Sequence, residues 1–100
     1  MKSEKMKVVV AEDEVAIADI LAANLRHDGF EPIIINSGPA VLEYLKTNTA
    51  QLILLDIMLP GMDGFEVCRQ VRLESRIPII MLTAKINEQD RLTGFDMGAD

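Results

Sequence analysis

Four short apolar runs, none alternating with polar residues, recur along the chain: Val8-Val9-Val10-Ala11, Ile33-Ile34-Ile35, Leu52-Ile53-Leu54-Leu55 and Ile79-Ile80-Met81-Leu82. A strand that is apolar on both faces is covered on both, the environment of a parallel sheet packed between layers of helices. The amphipathic stretches between the runs make the pattern a βαβ series. Strands are expected near 7–12, 31–35, 52–56 and 78–83, and helices near 14–28, 38–47, 64–74 and 88–97.

Local signals agree with this division. Ile17, Leu21 and Leu25, with Ala18 and Ala22 beside them, form one stripe of the first helix, which ends at Gly29, a natural left-handed cap. Ser37 is placed to cap the second helix, with Pro39 in its first turn. Asp63 followed by Glu66 resembles a capping box for the third, and Asn87 followed by Asp90 does so for the fourth. Proline cannot donate to a central ladder, so Pro32 makes the second strand an edge candidate, whereas Pro78 opens the fourth strand harmlessly.

One hundred residues, 49% of them hydrophobic and 26% charged, fit a single globular domain. Residues 1–6 read as a short disordered leader, with no apolar stretch behind it long enough for a signal peptide or a membrane span, so a soluble cytoplasmic protein is expected. Cys68 stands alone, which excludes an internal disulfide, and it reads as core packing on the third helix. A net charge of −6 argues against direct nucleic-acid binding, which depends on Lys and Arg neutralising phosphates.

Three of the strands run directly into polar residues: Glu12-Asp13, Asp56 and Thr83. In an open parallel sheet, ligands bind in the crevice beyond the carboxyl ends of the strands, so these side chains converge. Adjacent acids at a strand end repel unless a hard cation such as Mg²⁺ compensates them; the acids also suit the positive end of a following helix. Asp56 closes a wholly apolar strand ahead of Ile57-Met58-Leu59-Pro60-Gly61-Met62-Asp63-Gly64, whose proline and glycines fix the loop's path. A carboxylate so presented can act as a covalent nucleophile toward phosphorus when a metal neutralises the phosphoryl oxygens. Thr83 could donate to such an oxygen, and the small Ala84 would leave it accessible.

Together the segments Val10-Ala11-Glu12-Asp13-Glu14, Leu54-Leu55-Asp56 with its loop to Gly64, Pro78 to Ala84, and Gly94-Phe95-Asp96-Met97-Gly98-Ala99-Asp100 resemble the receiver domain of two-component response regulators. The resemblance runs from Lys7 to Asp100 and is nearest to receivers that precede winged-helix DNA-binding domains. It implies a flavodoxin-like, doubly wound parallel sheet of order 2-1-3-4-5. It also implies that Asp56 accepts a phosphoryl group from a sensor histidine kinase. Asp13, Asp56 and the backbone carbonyl of Met58 would bind Mg²⁺, with Glu12 acting through water. Thr83 would be the switch that reports phosphorylation to the surface around the fourth helix, for the benefit of an output domain, most naturally transcriptional, outside this sequence. Met58 and Lys85, each two residues past a site residue, would tune dephosphorylation. His27 is a surface residue at the end of the first helix, not a phosphodonor.

Two other functions use the same carboxylates. A Mg²⁺-dependent phosphatase with an Asp nucleophile expects a second acid two residues on, where this chain has Met58. A phosphorylation-inactive receiver fragment would act only as an interaction module. The family pattern continues into a fifth strand ending in lysine and a fifth helix, both beyond Asp100, and Lys85 is a poor substitute because that lysine comes from a different strand end. A sheet without the fifth strand leaves Pro78-Ile79-Ile80-Met81-Leu82 as an edge open to pairing with another chain. Sedimentation of the 100-residue chain is therefore expected to show self-association or weakly cooperative folding, and a compact monomer with a sharp melt would contradict this.

Overall fold

The computed structural model describes residues 5–82. Strands β1 (Lys7–Ala11), β2 (Glu31–Ile35), β3 (Leu52–Asp56) and β4 (Ile79–Leu82) alternate with helices α1 (Val15–His27), α2 (Gly38–Thr47) and α3 (Gly64–Arg72). All strand pairs are parallel and the sheet order is β2-β1-β3-β4, the first four strands of the doubly wound order expected. Pro32 accordingly sits in an outer strand. Pro78 precedes β4, and its carbonyl accepts from the Ile53 amide at 3.0 Å. Thr83, Ala84, Lys85 and the helix expected at 88–97 lie outside the described residues.

Alternation of side chains across the sheet divides its two faces. Val9, Ala11, Ile53, Leu55 and Ile79 belong to one buried cluster with Val41 of α2 and with Val67, Cys68 and Val71 of α3. Val8 and Val10 turn the other way and are equally buried, on the face where α1 lies through Ala18 and Ala22. Cys68 thus packs in the core, as its apolar setting implied. His27, the last residue of α1, is exposed beside Asp28, at 3.4 Å.

The α1 stripe is narrower than its sequence implies. Ala18 and Ala22 are fully buried, Ile17, Leu21 and Leu25 only partly, and Ile20 is 62% exposed. The small alanines let the helix backbone approach the sheet, and the longer flanking side chains then cover its margins. On the same face Ile34 and Ile80, in the two outer strands, remain 43% and 44% exposed.

Helix ends follow the sequence closely. Gly29 adopts φ +91°, the Phe30 amide donates to Leu25 O at 2.9 Å and the Gly29 amide to Arg26 O at 3.0 Å, the pattern of a Schellman cap. Ser37 Oγ accepts from the Ala40 amide, and Asp63 Oδ1 from the Glu66 amide at 2.9 Å. The capping box is only half made. Glu66 turns forward to Arg69 Nε at 3.1 Å and Gln70 Nε2 at 2.8 Å, because a guanidinium one turn ahead outcompetes a backbone amide behind. Just ahead of β1, Met6 O accepts from the Glu31 amide at 2.9 Å. Among the described residues no helix is long and apolar enough to cross a membrane.

Candidate functional site

Parallel pairing brings the carboxyl ends of β1, β3 and β4 to one edge of the sheet. The register Ala11↔Leu55 carries Glu12 up beside Asp56, and Asp56↔Leu82 sets the end of β4 at the same level. Glu12, Asp13 and Asp56 each offer a carboxylate oxygen, and all three oxygens lie within 4.8 Å of one another. Glu12 and Asp56 are both only 4% exposed, whereas Asp13 faces solvent. The cluster therefore has a buried floor of two acids and an open acidic rim.

Backbone donors hold each buried acid. The Glu12 amide donates to Ile35 O at 3.0 Å, extending the β1–β2 ladder by one residue, and Glu12 Oε2 accepts from the Glu14 amide at 3.0 Å. This second bond takes up a free amide at the start of α1, whose N-cap residue Glu14 makes no side-chain cap of its own. The two readings of the acidic pair are thus compatible: Glu12 serves the helix start and lines the cluster with the same carboxylate.

Asp56 Oδ1 accepts from the Met58 amide at 3.2 Å. Ile57 continues the ladder by donating to Leu82 O at 3.1 Å, and its own carbonyl accepts from Gly64 at 2.8 Å. The first turn of α3 comes so close that a Cβ at Gly64 would strike the Asp56 carbonyl oxygen. Asp56 is consequently anchored before, at and after its position. The side chain of Met58 is 74% exposed.

The electrostatics follow from this crowding. Burial pushes the Glu12 carboxyl above its ordinary range; the Glu14 amide pulls it back, while Asp56 and Asp13 add to the upward shift. Folding therefore tightens proton binding at Glu12. Its contribution to stability is unimpaired below the ordinary carboxylate range and is lost as pH rises from there through the raised value.

Three hard oxygen donors gathered within 4.8 Å of one another suit a small divalent cation of the Mg²⁺ type. The same edge offers the Asp56 carboxylate, one oxygen of which is fixed by an amide. The sequence brought out all three acids. It did not bring out the contact of the β2–α2 turn with the loop after Asp56, for which Gly38-Pro39 is the only local sign.

The family described as response regulator receiver domain matches residues 8–100. The sensory transduction protein RegX3 of Mycolicibacterium smegmatis is 45% identical over 93 residues; the match covers 93% of this chain and 41% of that relative, so the chain spans about two fifths of its length. Among solved structures, the BeF3-activated N-terminal receiver domain of Klebsiella pneumoniae RstA superposes with a TM-score of 0.87 at 32% identity, covering 93% of this chain and 80% of that one. The receiver domain of Francisella response regulator 1452 gives 0.88 at 27% identity, covering 96% and 80%. With the parallel 2-1-3-4 sheet and the acids gathered at its carboxyl edge, these matches place the chain in the response regulator receiver domain family.

Proposed function

We propose that this chain is a Mg²⁺-dependent phosphoacceptor: a sensor histidine kinase transfers a phosphoryl group to Asp56, and the modified site switches an output domain elsewhere in the protein. The observation that carries the reading is the convergence of buried Asp56, buried Glu12 and exposed Asp13 within 4.8 Å. The receiver-domain match and the resemblance to a BeF3-activated receiver support it. The module is cytoplasmic on this reading, and it is a participant in phosphoryl transfer rather than a turnover enzyme.

The roles divide by position. Met58 N–H holds Asp56 Oδ1, which leaves the second carboxylate oxygen to attack phosphorus. As that P–O bond forms, the P–N bond to the donor histidine breaks and the imidazole keeps the electron pair. Asp13, Asp56 and the Met58 carbonyl would hold the cation directly, with Glu12 acting through water. Mg²⁺ would supply neutralisation of the phosphoryl oxygens in a site that is otherwise strongly anionic. Thr83 donates to a phosphoryl oxygen and acts as the switch, with Ala84 leaving the approach open. Met58 and Lys85, each two residues past a site residue in sequence, would tune the lifetime of the acyl phosphate.

Incubation with Mg²⁺ and acetyl phosphate should add one phosphoryl mass to the chain, read by intact mass spectrometry. Asp56→Ala should abolish the adduct and chelation of Mg²⁺ should suppress it; an adduct that survives Asp56→Ala would refute the assignment. The lifetime depends on Met58, whose thioether cannot orient water by hydrogen bonding. Met58→Asn is expected to shorten the half-life by up to about tenfold, below the ~100-fold that a full general base supplies. A half-life unchanged by Met58→Asn would remove Met58 from the role.

A further inference from the structure

The loop that follows Asp56 is held from outside as well as from its two ends. Between Ile57, tied to β4, and Gly64, tied to Ile57 O, the segment 58–63 crosses the N-terminal turn of α2. The Gly38 amide donates to Pro60 O at 3.2 Å. A Cβ at Gly38 would come within 2.5 Å of Met62 O, 2.8 Å of Met62 Cβ and 2.9 Å of Val67 Cγ2, so the two backbones touch with no room for a side chain. Gly61 has φ +83°, and a Cβ there would meet Pro39 Cδ at 2.9 Å and Cγ at 3.1 Å.

The turn that makes these contacts is itself rigid. Ser37 Oγ accepts from Ala40, the Ser37 carbonyl accepts from Val41 at 3.2 Å, and the Pro39 ring fixes one backbone angle. On the loop side, Leu59 is buried in the core cluster and Met62 packs against it. Both surfaces are thus preorganised, and their contact begins two residues after Met58, whose amide holds Asp56.

We infer that the N-terminal turn of α2, through Gly38 and Pro39, is a positioning element for Asp56: it seats Pro60–Met62 and so keeps the Met58 amide on Asp56 Oδ1. The inference deepens the phosphoacceptor reading, because that amide decides which carboxylate oxygen faces phosphorus. Gly38, Pro39 and Gly61 act through Met58 and touch no reacting atom.

Amide hydrogen exchange and the amide proton shift of Met58, both read by NMR on the unphosphorylated chain, test the seat directly. Forcing a Cβ into a left-handed position against Pro39 disfavours the seated loop, so Gly61→Ala should speed exchange at Met58 and Gly38 about tenfold. Val9 and Ile53, in the central strands, should keep their protection. Adding Pro39→Ala removes the ring atoms in the way and should restore part of the Met58 protection. Unchanged exchange and shift at Met58 in Gly61→Ala would overturn the inference. Should Gly61→Ala also unprotect Val9 and Ile53, Pro39→Ala alone decides: faster exchange confined to Met58 and Gly38 upholds the seat, and unchanged exchange overturns it. Failure of the unmutated chain to take up a phosphoryl group would count against the phosphoacceptor reading and leave the exchange result standing by itself.

Discussion

The pairing of β1 with β3, from Val8↔Leu52 to Ala11↔Leu55, sets everything at the carboxyl edge of the sheet. A slip of β3 by one residue would turn Ile53 and Leu55 from the α2–α3 face to the α1 face and would shift Asp56 away from Glu12. The register is enforced by burial, since Val9, Val10, Ala11, Ile53 and Leu55 have no exposed surface. The core thus fixes the site: the apolar contacts that select this register bring two carboxylates together at its end.

That outcome has an electrostatic cost. Two ionised carboxylates separated by about 5 Å repel by roughly 3 kcal/mol at an effective dielectric of about 20, and by less where one of them, like Asp13, faces water. The protein answers in two ways. The Glu14 and Met58 amides each donate to one of the buried acids, and Glu12 holds its proton more tightly than an ordinary glutamate. Neither removes the clustered charge. Such a clustered charge suits a hard divalent cation.

Much of this was legible in the sequence, for reasons that differ by element. The strands announced themselves because burial on both faces needs uninterrupted Val, Ile and Leu, and β2 showed its outer place through Pro32. Gly29, Ser37 and Asp63 read correctly because capping is chemistry between near neighbours. Asp13 and Asp56 were found together only because parallel strands deliver their ends to one edge. What escaped the sequence depended on distance in the chain: that Glu66 would turn to Arg69, that Ala18 and Ala22 rather than the larger residues would make the deepest α1 contact, and that Gly38 would be pressed against Met62. The last pair are 24 positions apart (62 − 38) and meet only because α2 and α3 share a sheet face. Thr83, Ala84 and Lys85 were read from motif alone.

The claim that the acidic edge is a cation site built under repulsion is tested most directly by denaturant unfolding of the chain and of Asp13→Asn, with and without Mg²⁺, at neutral pH. Ligand linkage requires the unmutated chain to gain stability as Mg²⁺ is raised, and the gain should shrink toward acid pH as Glu12 takes up its proton. Asp13→Asn should be more stable than the unmutated chain in the absence of the cation and should show little response to it. A midpoint indifferent to Mg²⁺, or an Asp13→Asn chain less stable than the original, would contradict the account.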